Sequence, residues 1–103
     1  MGTGVLVRII ARSTLIKFWK KNNDAEEALK AWFAEAKRAH WKTPNQIKGQ
    51  YLSASILKDG RVVFNIAGNK YRLVVAIKFD FEIVYIRFIG THKEYNDIDA
   101  LTI

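Results

Sequence analysis

The chain has 103 residues, half of them hydrophobic and 13% aromatic, with 17 Lys and Arg against 10 Asp and Glu for a formal net charge of +7. This length suits one domain over residues 1–103 and excludes a (β/α)₈ barrel or a full dinucleotide-binding fold. The hydrophobic content excludes wholesale disorder. A chain of this size buries one core and leaves little room for a deep cavity, so an active site is expected in a surface groove.

Cysteine is absent, which removes disulfides, thiol nucleophiles and Cys-type zinc sites. No apolar run approaches the roughly 18 residues of a membrane span. Arg8 and Arg12 interrupt the first apolar stretch, which therefore does not read as a signal peptide. A cytoplasmic protein with no membrane association is expected.

The positive charge is concentrated. Between Lys37 and Lys78 nine bases stand against the single acid Asp59, while the rest of the chain holds eight bases and nine acids. Trp41, Tyr51 and Tyr71 are interleaved with those bases. A basic block carrying aromatics suits a polyanion, nucleic acid foremost, with an acidic protein or a membrane surface as the other partners such charge can serve.

Met1 to Gly4 is left outside the first element. Val5 to Ala11 reads as a strand. Ser13 can cap a helix running to about Asn22, with Leu15, Ile16 and Trp19 on one face. Asp24 followed by Glu27 is a capping-box pattern. After it Ala25, Ala28, Leu29, Trp32, Phe33 and Ala36 form one apolar stripe, so a helix is expected from Ala25 to about Ala39 with Trp32 and Phe33 in the core. Thr43-Pro44-Asn45 breaks this pattern, and a single helical turn is expected near Asn45 to Lys48.

From residue 61 the period becomes two. Val62, Phe64 and Ile66 alternate with Arg61, Val63 and Asn65. After the Gly68-Asn69 turn, Tyr71, Leu73, Val75 and Ile77 alternate with Lys70, Arg72, Val74 and Lys78. A third strand covers Glu82 to Ile89, apolar on both faces. Gly90 ends it, and Lys93 to Ala100 reads as a short helix or an irregular tail. The fold expected is α+β: two N-terminal helices packed on an antiparallel sheet, with Trp32, Phe33, Phe64, Leu73 and Val75 buried. Strand parity then places Arg61, Asn65, Lys70 and Arg72 on the open face, where Arg61, Lys70, Arg72 and Lys42 are expected to make much of one continuous cationic surface.

Redox, zinc and nucleoside-triphosphate motifs are missing, His40 and His92 are the only imidazoles, and no metal site or cofactor is expected. One segment concentrates chemistry: Thr91-His92-Lys93-Glu94-Tyr95. Cutting RNA without a metal requires a proton taken from the 2′-hydroxyl, cations at the phosphate and a proton given to the leaving 5′-oxygen. Histidine is the side chain whose ordinary titration lies nearest neutrality. The same segment also reads as a polar tail that happens to contain a histidine.

The string Phe64-Asn65-Ile66-Ala67-Gly68-Asn69-Lys70-Tyr71-Arg72-Leu73, followed by Thr91 to Tyr95, resembles the HigB toxins of bacterial type II toxin–antitoxin pairs, in the RelE/ParE-like superfamily. The order of elements and the Trp41-Lys42-Thr43-Pro44 segment also fit, and the resemblance runs from about Val7 to Ile103. It implies an RelE-like fold and a metal-independent endoribonuclease, an mRNA interferase that cuts messages on the translating ribosome. It also implies a HigA-like antitoxin with a helix-turn-helix domain, held in a hetero-oligomer. Ala67 stands where glycine is common in the family, which is expected to alter only turn flexibility, and Asn96 stands where aspartate is common. Arg72 is expected at the scissile phosphate, with His92 and Tyr95 as proton carriers and Lys93 as a second phosphate cation. Lys42, Lys48, Arg61, Asn65, Asn69, Lys70 and Arg87 are expected to bind RNA. Two other activities remain open at this point: a non-catalytic RNA- or ribosome-binding module, and a ParE-like inhibitor of DNA gyrase.

Overall fold

The structure is a computed structural model that describes residues 6–103; Met1 to Gly4 and the expected strand start at Val5 lie outside the described residues. Strand β1 (Arg8–Ile10) leads into helices α1 (Arg12–Lys21) and α2 (Glu26–Ala39), then helix α3 (Pro44–Gln50). Strands β2 (Ser55–Ile56), β3 (Arg61–Ile66), β4 (Tyr71–Lys78) and β5 (Ile83–Thr91) follow, and helix α4 (His92–Asn96) comes last. Among the described residues no helix is long and apolar enough to cross a membrane.

The helices form for local reasons. Leu15 and Trp19 of α1 lie four residues apart and are both buried, which is the spacing of one helical face. In α2 the buried residues are Leu29, Trp32 and Ala36. Phe33 is only half-buried, at the margin of that stripe. The Arg12 guanidinium and the Lys37 ammonium lie 4.9 and 5.3 Å from its ring centre, so its outer face is covered by cations rather than by the core. Helix α3 is longer than the expected turn. Thr43 caps it by accepting the Gln46 N–H, and Pro44 takes the first turn, where its missing N–H costs nothing.

The Asp24–Glu27 capping box does not form. A 3₁₀ turn over Asn23–Ala25 precedes α2, whose cap residue Ala25 makes no side-chain bond. Asp24 instead pairs with Lys70 and accepts the Tyr71 hydroxyl at 2.5 Å. A cation and a phenol are stronger partners for a carboxylate than a neutral backbone amide.

The five strands lie in the order β1-β5-β4-β3-β2. The expected antiparallel sheet is corrected at one edge: β1 runs parallel to β5, Arg8 opposite Ile83 and Ile10 opposite Tyr85. A parallel neighbour requires a long crossover, which the helices and the meander between the two strands provide. Among the described residues four helices accompany the sheet. Leu15, Leu29, Trp32, Trp41 and Ile47 share one buried cluster with Val62, Phe64, Leu73, Val75 and Val84. Phe64 is its aromatic hub, 5.4 Å from Trp32 and 5.0 Å from Tyr51 between ring centres.

Two features make β5 hard to read from sequence. A register shift pairs Val74 with Phe88 and Val75 with Ile86, which leaves Arg87 as a bulge residue. Ile86 therefore faces the helices while Phe88 faces away. The face away from the helices is not open either. Val63 and Val74 on that face are buried. Helix α4 packs on β4 and β5, and Tyr95, Ile98, Ala100 and Ile103 are half-buried. The C-terminal residues run back over the apolar middle of this face.

Ala67 and Gly68 both take positive φ, 55° and 72°, in the β3–β4 turn. The alanine there holds a left-handed backbone that glycine adopts without cost. The departure at Ala67 is thus one of backbone strain, beyond the turn flexibility expected.

Candidate active site

Asn65, Arg72 and Gly90 form one row across the sheet: Asn65 pairs with Arg72, and Arg72 with Gly90. Thr91 pairs with Tyr71, and the His92 N–H donates to the Lys70 carbonyl at 3.3 Å, so the ladder continues to the first residue of α4. His92 is thereby the diagonal neighbour of Arg72, a relationship that puts the two Cα atoms about 7–8 Å apart.

Gly90 makes this corner compact. A Cβ at residue 90 would lie 2.5 Å from the Phe88 ring and 2.8 Å from a Glu94 carboxylate oxygen. The absent side chain lets both groups close over the strand beside Arg72. A complete capping box then starts α4. The Thr91 hydroxyl accepts the Glu94 N–H at 3.1 Å, and the Glu94 carboxylate accepts the Thr91 N–H at 2.8 Å. Glu94 is therefore engaged in shaping the turn that carries its neighbours. His92 and Lys93 are exposed and Tyr95 is half-buried.

Arg72 is half-buried. Its Nη1 donates to the Asn69 carbonyl at 2.8 Å and to the Tyr71 carbonyl at 3.4 Å. A guanidinium carries five donors in a planar fork, so this anchoring leaves an edge suited to a phosphate. The turn that holds Arg72 is fixed from the helix side by Asp24. Lys70, with Tyr71 after it, holds the Asp24 carboxyl below its ordinary range, and Asp24 in turn raises both Lys70 and Tyr71.

The other expected RNA ligands are scattered, and the expected continuous surface of Arg61, Lys70, Arg72 and Lys42 is corrected. Asn69 lies in the β3–β4 turn, and Asn65 stands opposite Arg72 with its amide 3.4 Å from the Ser53 carbonyl. Lys70 is next to this corner but ion-paired with Asp24. Lys42 sits beyond the other end of β4, its ammonium 2.6 Å from Glu82. The six residues from Arg72 to Lys78 separate it from Arg72 by about 20 Å. Glu82 also binds His40, and Lys42 foremost, then His40, holds its carboxyl below the ordinary range. Lys48 donates to the Leu52 and Ala54 carbonyls, each at 2.6 Å, and so closes the α3–β2 loop. Arg61 and Arg87 both reach the main-chain oxygen of Ile103, from the start of β3 and the β5 bulge.

Sequence reasoning missed the roles of Gly90, Glu94 and Asp24 at this corner. The Thr91-x-x-Glu94 spacing was the available signal for the cap. Asp24 gave none, because its partners lie 46 and 47 residues away.

Residues 25–98 match the family model of the HigB toxins, described as the RelE-like toxic component of a toxin–antitoxin system. The chain is similar to the mRNA interferase toxin HigB of Escherichia coli K12, 35% identical over 66 residues that cover 62% of this chain and 64% of that protein. The mRNA interferases HigB of Escherichia coli O157:H7 and of Shigella flexneri match to the same extent. The chain thus spans about 64% of the length of these curated relatives. With the family model covering most of the chain, the protein belongs to the HigB toxin family, whose members are RelE-like toxic components of toxin–antitoxin systems.

Proposed function

We propose that this protein is the toxin of a type II toxin–antitoxin pair, a metal-independent endoribonuclease that cuts mRNA on the translating ribosome in the cytoplasm. The relatives named mRNA interferase support this reading. The observation that carries it is the pairing of Arg72 with Gly90, which brings the exposed His92 to a diagonal position beside a half-buried guanidinium. Helices α1 and α2 then correspond to the helical layer of an RelE-like fold.

In this mechanism the RNA supplies its own nucleophile. The 2′-hydroxyl loses its proton and attacks the neighbouring phosphorus, and the bond to the 5′-oxygen breaks as that oxygen gains a proton. His92 and Tyr95 take and give the protons. Arg72 grips the phosphate bidentately and Lys93 adds a second positive charge as the crowded phosphate develops. Asn65, Asn69 and Lys70 contact the RNA near the cut, while Lys42, Lys48, Arg61 and Arg87 extend the electrostatic attraction. The partner that silences the toxin is a HigA-like helix-turn-helix antitoxin in a hetero-oligomer. It blocks ribosome entry sterically or presents carboxylates to the basic corner.

The test is purified protein added to translating ribosomes, with the message ends identified. The mechanism predicts upstream fragments ending in a 2′,3′-cyclic phosphate. Ribosome binding with intact message would indicate a non-cutting module, and inhibition of DNA gyrase with intact message would indicate a ParE-like activity. Either outcome overturns the nuclease reading.

A further inference from the structure

A second cationic feature lies on the same sheet face as Arg72, toward the other end of the strands. An open cavity of about 370 Å³ has Arg61, Lys78, Tyr85, Arg87, Asp59 and Leu101 among its walls. Three cations there face a single acid. Arg61 and Arg87 converge on one oxygen: Nη1 of Arg61 donates to the main-chain oxygen of Ile103 at 2.5 Å and Nε of Arg87 at 3.1 Å. Arg61 also reaches the Ala100 carbonyl at 3.2 Å. Two guanidiniums converging on one oxygen hold the place that an anionic oxygen of a phosphate takes, and bonds to an ionised acceptor are roughly twice as strong as neutral ones. Tyr85 is half-buried in the same wall and offers an aromatic surface for a base.

The spacing from Arg72 fits a strand of RNA. Arg61 and Tyr85 both pair with Ala76, four residues along β4 from Arg72. Four strand residues span about 14 Å. That is the rise of about four stacked nucleotides at roughly 3.4 Å each, and of fewer when the strand is drawn out.

We propose that this cavity is a second RNA subsite, which takes a nucleotide roughly two to four positions along the strand from the phosphate at Arg72. The incoming strand takes the place of the C-terminal residues over the middle of this face, its phosphate oxygen replaces the Ile103 oxygen at Arg61 and Arg87, and the base stacks on Tyr85. The subsite rests on the reading of the protein as an RNA-cutting toxin. Lys78 is exposed at the end of β4, and its ammonium makes no ion pair among the described residues, so it is the cation to change without disturbing the fold.

The experiment titrates labelled 2′-O-methyl oligoribonucleotides of two, four and six nucleotides by fluorescence anisotropy; the methyl group removes the nucleophile and leaves binding alone. Wild-type affinity is expected to rise about tenfold or more from the shortest to the longest probe, the scale of one stacked base with its phosphate. Lys78→Glu is expected to abolish that rise while changing the shortest probe's affinity less than about twofold. Lys78→Ala should lower the salt slope for the longest probe by about 0.7. Circular dichroism checks that both variants fold. A wild-type affinity independent of length, or a rise that survives Lys78→Glu, overturns the subsite. Message cleavage on translating ribosomes by the same preparations separates the two readings. Length-dependent binding without cleavage supports the subsite and removes the nuclease. Cleavage without length dependence removes the subsite alone.

Discussion

Arg72 and Gly90 face each other across β4 and β5, and the space that a side chain at residue 90 would fill is taken by the Phe88 ring and the Glu94 carboxylate. The guanidinium and the His92 turn therefore share one corner because the residue between them has no side chain. Gly90→Ala should break this arrangement. Its methyl would lie 2.5 Å from the Phe88 ring, so the ring or α4 must move. Message cleavage is expected to fall about tenfold or more, since small misplacements at a catalytic site cost that much. Wild-type cleavage by Gly90→Ala would show that the corner need not be compact.

Glu94 separates a shaping role from a chemical one. A capping box accepts Gln in place of Glu. Glu94→Gln should therefore keep near-normal cleavage, while Glu94→Ala should lose most of it together with about 1 kcal/mol of stability. If Gln and Ala were equally inactive in folded protein, the carboxylate would be a proton carrier and the capping account would be wrong.

The two bridging carboxylates set an acid limit on stability. Asp24 and Glu82 both titrate below their ordinary ranges in the folded protein. A depressed carboxyl adds stability above its unfolded value, and that contribution is lost as pH falls through the folded one. The melting-temperature gap between wild type and the Asp24→Asn/Glu82→Gln double variant should be full at pH 6 and shrink as pH falls below about 4. A gap that stayed constant down to pH 2, measured by circular dichroism, would contradict the ion-pair assignment.

Gly60 makes a stability prediction remote from the candidate site. It holds φ at 75°, and a Cβ there would collide with the Ile77 carbonyl, while the Gly60 carbonyl accepts the Ile77 N–H at 2.8 Å. Backbone must shift in Gly60→Ala, at a cost of about 2–3 kcal/mol. The melting temperature should fall by about 10–20 °C. A fall of less than about 3 °C would show that this turn relaxes freely.

What the sequence made legible was local. The apolar stripe of α2 and the alternation in β3 and β4 each lie within one element, and all three elements form where that pattern places them. What it hid depends on distant partners. Asp24 looked like a cap because Lys70 and Tyr71 are remote in the chain, and Lys42 looked available because Glu82 lies 40 residues away. The bulge at Arg87 reverses the parity of β5, so no single alternation describes that strand. The sheet face expected to be open carries Val63 and Val74, and burying them requires cover that only the folded tail reveals. At the candidate site the residue types were legible in Thr91 to Tyr95. The neighbourhood of Arg72 and His92 was not, because it depends on strand register.

Arg72 and His92 are expected to act on one phosphate. The most direct measurement is the single-turnover rate of message cleavage on translating ribosomes for wild type, Arg72→Ala and His92→Ala, each verified as folded by its melting curve. A loss of about 10²-fold or more is expected in each variant, the scale of a lost proton carrier or a lost charge at the phosphate. Cleavage within about threefold of wild type in both folded variants would contradict it.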